Sequence, residues 1–144
     1  MDRFSVTLLP DCVRLYTCSK SVFEQTVHPH QMYRIHTDIL GITLLQDEIT
    51  FYMYVKSDDN INTENHLLLR RITTHDPRLY HVFDIHEDIP GIDHVGIIHN
   101  ISRYFLEKQI PILYVNTYGH NLILVSEDHY PVARQILQDI GRLS

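Results

Sequence analysis

The chain has 144 residues, a length that suits one compact domain or two very small ones. Hydrophobic residues make up 44% and charged residues 21%, the balance of an ordinary globular protein. The formal net charge is −6 and only Arg70 and Arg71 are adjacent basic residues. This argues against nucleic acid as a partner, because phosphate contacts need clustered Lys and Arg.

No apolar run approaches the roughly 18 residues of a membrane-spanning helix. Asp11 and Arg14 interrupt any secretion-signal pattern at the N-terminus. A cytosolic protein without membrane association is therefore expected. Cys12 and Cys18 do not make a disulfide framework and default to reduced thiols. Eleven histidines are scattered from His28 to His129. The pair His28 and His30 is too close to chelate as a metal finger does, and no CxxC accompanies it. No metal and no cofactor are expected.

In chain order, Phe4 to Leu9 alternates as a strand does and stops at the turn signal Pro10-Asp11. Val13 to Tyr16 reads as a second short strand. A short helix fits Ser21 to Thr26, and Pro29 forbids its extension. Ile39 to Leu45 and Ile49 to Val55 read as two strands around a hairpin turn at Gln46-Asp47-Glu48. Ser57 to Glu64 is a polar loop. His66 to Ile72 has room for one or two helical turns. Leu79 to Ile85 alternates again, and Pro90-Gly91 marks a connection.

A helix is expected from Asp93 to Lys108, with Val95, Ile98, Ile101, Phe105 and Leu106 on one face. Ile110 to His129 reads as strand, tight turn and strand. Tyr130 to Ile140 is a last helix with Val132, Ile136, Leu137 and Ile140 as its apolar stripe and Asp128 as its cap. The two halves share one plan: strand, helical segment, two strands, helical segment. This predicts an α+β fold of two tandem ferredoxin-like βαββαβ units, antiparallel sheets with helices on one face. The expected boundaries are 1–75 and 76–144, with strand 4–9 completing the second unit's sheet.

Ile112 to Val125 resembles the strand–turn–strand of ACT domains, and most closely that of the CASTOR family of cytosolic arginine sensors. That family's segment runs Ser-Thr-Tyr/Phe, two residues, Asp, an aromatic or aliphatic residue, then Ile/Leu-Leu-Val. Asn116-Thr117-Tyr118 and Leu122-Ile123-Leu124-Val125 match it here, and Glu107 and Glu127-Asp128 sit in similar places. Ile42-Thr43-Leu44 and Ile49 to Val55 fit the first hairpin more loosely. The chain would correspond to two of the family's four ACT units.

The resemblance implies a non-enzymatic regulatory protein that binds an amino acid or small metabolite between units. It would control a partner protein in nutrient (TOR) signalling, as a homodimer or with a heteromeric protein partner. The matching ligand positions are Gly91, His94, Val95, Asn100, Ile101, Thr117, Tyr118, His120 and Asn121. A Gly-containing turn lets backbone N–H groups approach a carboxylate, and a helix N-terminus favours negative charge. Two departures argue against arginine itself: Asn121 stands where the family has Asp, and His94 where an arginine-binding unit has a carboxylate.

Each position also has a plainer reading. Tyr118 either caps the sandwich or lines a pocket. Gly119 and Asn121 either shape the hairpin or meet a ligand. His94 either starts a helix or contacts a ligand, Asn100 faces solvent or an interface, and Ile101 suits the core. Glu24, Asp47, Glu48 and Asp84 show no spacing that brings them to one site, and neither cysteine has a base beside it. The sequence therefore names no enzyme. A ligand-free interaction module on the same scaffold, or a regulatory subunit of an amino-acid biosynthetic enzyme, are the alternatives.

Overall fold

The computed structural model describes residues 4–29, 31, 38–55, 64–76, 78–87, 94–117 and 119–143. In chain order the elements are β1 (Phe4–Leu8), β2 (Cys12–Ser19), α1 (Lys20–Thr26), β3 (Ile39–Leu45) and β4 (Glu48–Val55). Then come α2 (Glu64–Ile72), β5 (Thr74–His75), β6 (Tyr80–Glu87), α3 (His94–Glu107), β7 (Leu113–Asn116) and β8 (Asn121–Ser126). A single 3-10 turn (Glu127–His129), α4 (Tyr130–Ile140) and β9 (Arg142–Leu143) complete the chain. Most of the loop expected at Ser57 to Glu64 falls outside the described residues. The chain forms two compact units. The inner one is Asp11–Leu79, and the outer one combines Met1–Pro10 with Tyr80–Ser144.

In the inner unit β2 lies between β4 and β5, and β3 adds to the far side of β4, all antiparallel. Alternation along the strands sends Tyr16 and Cys18 of β2, and Ile49, Phe51 and Met53 of β4, to one face. There they meet Leu68 and Leu69 of α2 and Val27 at the end of α1, with Phe23 packed alongside. The Phe23 and Phe51 rings lie 5.3 Å apart. This is the ferredoxin-like order, with the first strand of the motif inside the sheet.

The outer unit repeats the plan in the order β7-β8-β6-β1-β9. Its first strand is β6, and the place of the fourth is taken by β1, antiparallel to β6 from Phe4↔Glu87 to Leu8↔Phe83. Two residues of β9 run parallel to β1. Phe4, Val6, Phe83, Ile85, Ile123 and Val125 line one face of the sheet. Ile101 and Phe105 of α3, and Ala133, Ile136 and Leu137 of α4, close over them. The fold is thus α+β, two ferredoxin-like units with helices on one face of each sheet.

Three local expectations need correction. Leu106 is 74% exposed and lies off the apolar face of α3, where Ile101 and Phe105 carry the packing. Val132 is 48% exposed, and Ala133 takes the inward position on α4. Asp128 does not cap α4, because the chain enters through the 3-10 turn and the cap position is His129, whose side chain makes no capping hydrogen bond. Helix α3 ends differently from a glycine stop. Gln109 adopts φ 56°, its N–H donates to the Leu106 carbonyl at 2.9 Å, and the Ile110 N–H donates to Phe105 at 3.0 Å. These bonds satisfy two carbonyls of the last turn.

Candidate functional sites at the two hairpin turns

The β7–β8 hairpin of the outer unit holds most of the predicted ligand positions for which side chains are described. The Thr117 N–H donates to the His120 carbonyl at 2.9 Å and closes the turn. The Tyr114 hydroxyl donates to Asn121 Oδ1 at 2.8 Å. Tyr114 pairs with Ile123 and Asn116 with Asn121, so Tyr114 and Asn121 share the face that carries the helices. His120 goes the other way: its Nδ1 lies 2.9 Å from Asp84 Oδ2. Asp84 sits between Phe83 and Ile85 of β6, which both enter the helix-side core, so its side chain leaves the opposite face. Neighbouring turn residues thus serve opposite sides of one sheet.

The remaining positions are spread out. Ile101 is fully buried in the core of the outer unit, while Asn100 and Thr117 are exposed. His94 and Val95 open α3. Gly91 and Tyr118 lie outside the described residues. Asp84, for which the sequence offered no shared site, is buried beside His120 and His86. Its signal was available: Asp84 and His86 are two apart in a strand, and such residues share a face.

The inner unit offers an open groove at the corresponding turn. An open groove of about 460 Å³ is bounded by the end of β2, the β3–β4 turn and Thr74 of β5. Thr17, Cys18, Ser19, Gln46, Asp47, Glu48 and Thr74 contribute to its wall, with Leu45. Each piece is fixed locally. Ser19 Oγ accepts from the Val22 N–H at 3.2 Å and caps α1. The Lys20 N–H donates to the Asp47 carbonyl at 2.6 Å, tying the helix start to the turn. Gln46 takes φ 53°, which lets the chain reverse in so few residues. Thr17 and Thr50 hydroxyls pair across the strands at 3.1 Å. Burial pushes the Cys18 thiol up from its ordinary value, so it stays a neutral lining group rather than a nucleophile. The wall is hydroxyl- and carboxylate-rich, chemistry that suits hydrogen bonding and cation recognition.

Among the described residues no three His, Cys, Asp or Glu side chains are arranged to hold a metal ion. No described helix is long and apolar enough to cross a membrane.

The chain matches no protein-family model and no curated protein. Solved structures do resemble it. A protein of Agrobacterium tumefaciens superposes with a TM-score of 0.68 at 18% identity, covering 100% of this chain and 94% of its own. A C-terminal regulatory domain of aspartate kinase from Porphyromonas gingivalis gives 0.58 at 13% identity, over 94% of this chain and 95% of that one. E. coli aspartokinase III, solved with aspartate and ADP, gives 0.60 at 12% identity, over 95% of this chain and 33% of the enzyme. The likeness is one of fold. The paired ferredoxin-like units have the fold of these solved structures.

Proposed function

We propose that this chain is a non-enzymatic ACT-type regulatory protein that senses an amino acid or related small metabolite and controls a partner protein, in the manner of the cytosolic CASTOR sensors. The observation that carries this reading is the open groove of the inner unit. It lies at the strand end and the hairpin turn, two of the three places where the resemblance puts the ligand. By the resemblance alone, Gly91, His94, Val95, Asn100, Ile101, Thr117, Tyr118, His120 and Asn121 are the corresponding positions of the outer unit. The test is a thermal-shift screen against the twenty amino acids. A ligand at 100 times its Kd stabilises by about 2.7 kcal/mol, a readily measured rise in Tm. A selective shift that Glu48→Gln removes locates the ligand in the inner unit; one that Thr117→Val or Asn121→Ala removes locates it in the outer unit. Absence of any shift defeats the sensing reading.

A second reading, a protein-interaction module, has its own support. Strand β3 pairs with β4 alone among the described residues, and it exposes Ile42, Leu44 and Leu45. An uncharged, apolar edge strand invites pairing with another chain. We infer that a homodimer or a heteromeric complex forms along this edge. Light scattering at tens of micromolar tests the homodimer, and Leu44→Lys should shift it to monomer.

A further inference from the structure

We propose that Asp84, on the helix-free face of the outer unit, is the anchor for a cationic amino group of a small ligand, and that His120 holds its place when no ligand is bound. The proposal rests on the sensing function argued above and adds a ligand contact in the outer unit, on the sheet face opposite Asn121 and apart from the inner-unit groove.

The side chain of Asp84 is only 8% exposed. Its Oδ2 is met by His120 Nδ1 at 2.9 Å and more loosely by His86 Nε2 at 3.5 Å. Its Oδ1 is buried with no hydrogen-bond partner among the described residues. The cross-strand neighbours are Thr7 on β1 and Leu122 on β8, and neither carries charge. No Lys or Arg pairs with Asp84 among the described residues. A buried carboxylate needs a cation or several hydrogen bonds to offset its lost hydration. An imidazole supplies one N–H and, unless protonated, no charge. Asp84 therefore has spare acceptor capacity at Oδ1.

The two histidines are the way in. Their side chains are 45% and 59% exposed, so Asp84 is approached from the side of these two rings. His120 lies in the β7–β8 turn, so its displacement would alter the turn that Thr117 closes. A primary ammonium has three donors and a full charge. It can satisfy Oδ2 in place of His120 and reach toward Oδ1. A free carboxylate at this spot would be repelled, so the ligand's amino end, not its acid end, is read here.

The experiment is a titration of the intact protein with each of the twenty amino acids and with their N-acetyl forms. Binding is followed by calorimetry and by the imidazole ¹H–¹⁵N signals of His86 and His120. The expected result is that one amino acid binds and moves the His120 signal, while its N-acetyl form does not bind. Asp84→Asn should weaken binding at least tenfold, whereas His120→Ala should bind as tightly or more tightly. If an amino acid binds Asp84→Asn as it binds the natural chain, the Asp84 anchor is overturned and sensing survives. If the N-acetyl form binds equally, the anchor is likewise overturned. If no amino acid binds the natural chain, both proposals fail together.

Discussion

Gly141 lies directly under the ring of Phe4: a Cβ at position 141 would stand 2.5 Å from Phe4 Cε2. Phe4 is itself buried against Val6 and the helix layer, so the ring has little room to retreat. The contact joins the first strand of the chain to the residue between α4 and β9, and so ties β1 to the outer unit. Gly141→Ala should destabilise by about 1–3 kcal/mol through overpacking. Urea unfolding measures this. In Phe4→Leu the same Gly141→Ala change should cost less, because the clashing ring is gone. Equal costs in both backgrounds would place the penalty elsewhere than in this contact.

Adjacent residues of α3 make a sharp contrast. Phe105 is 1% exposed within the outer-unit core, and Leu106 projects outward. Phe105→Ala should cost about 3–5 kcal/mol, from lost burial and the cavity left behind. Leu106→Ala should change stability by no more than about 0.5 kcal/mol. Thermal unfolding of the two variants decides whether the helix is rotated as described.

The alternating strands and the repeated element order were legible because period-two burial writes itself into sequence: Phe51 and Met53, or Phe83 and Ile85, are in the core where their spacing puts them. Leu106 and Val132 were misread because apolar spacing fits more than one helix rotation. Which rotation wins depends on what the opposing sheet face presents, here Ile123 and Val125. The two-residue β9 was invisible, since Arg142 and Leu143 carry no pattern and pair only because β1 leaves an edge open. At the site, the turn at Thr117 to Asn121 was readable from its residue types. Its division between two faces was not, because a turn has no fixed side-chain period. Asp84 escaped because its partner His120 lies 36 residues away, a pairing that only the β6–β8 register creates.

Helix capping separates two polar residues that sequence alone treats alike. Ser19 Oγ accepts from the Val22 N–H, while Asp128 sits inside the 3-10 turn before α4. Ser19→Ala should therefore cost about 1 kcal/mol. Asp128→Ala should cost less than about 0.5 kcal/mol, reflecting only its charge near the start of the helical segment. Chemical denaturation distinguishes them. A larger loss at Asp128 would mean that it supplies a cap after all.

His81 stacks on Tyr130, their ring centroids 3.8 Å apart and tilted by 15°, and Phe83 lies 6.0 Å from the same tyrosine. The stack joins β6 to the first residue of α4. Burial there pushes the His81 pKa below its ordinary 6.5, and the nearby Glu127 carboxylate only partly opposes the shift. The unfolded chain therefore takes up this proton more readily than the folded one. Above about pH 6.5 both forms are neutral and the group costs nothing. As pH falls through about 6.5 toward the lower folded value, the unfolded state is favoured and stability is lost. The chain has ten other histidines, so the comparison must be with His81→Gln. The natural chain should exceed the variant in stability most at pH 7.5, and the gap should narrow toward pH 5. Urea midpoints at several pH values give the gap directly. A gap that widens on acidification would mean that Glu127 outweighs burial and that the stacked ring prefers to be charged.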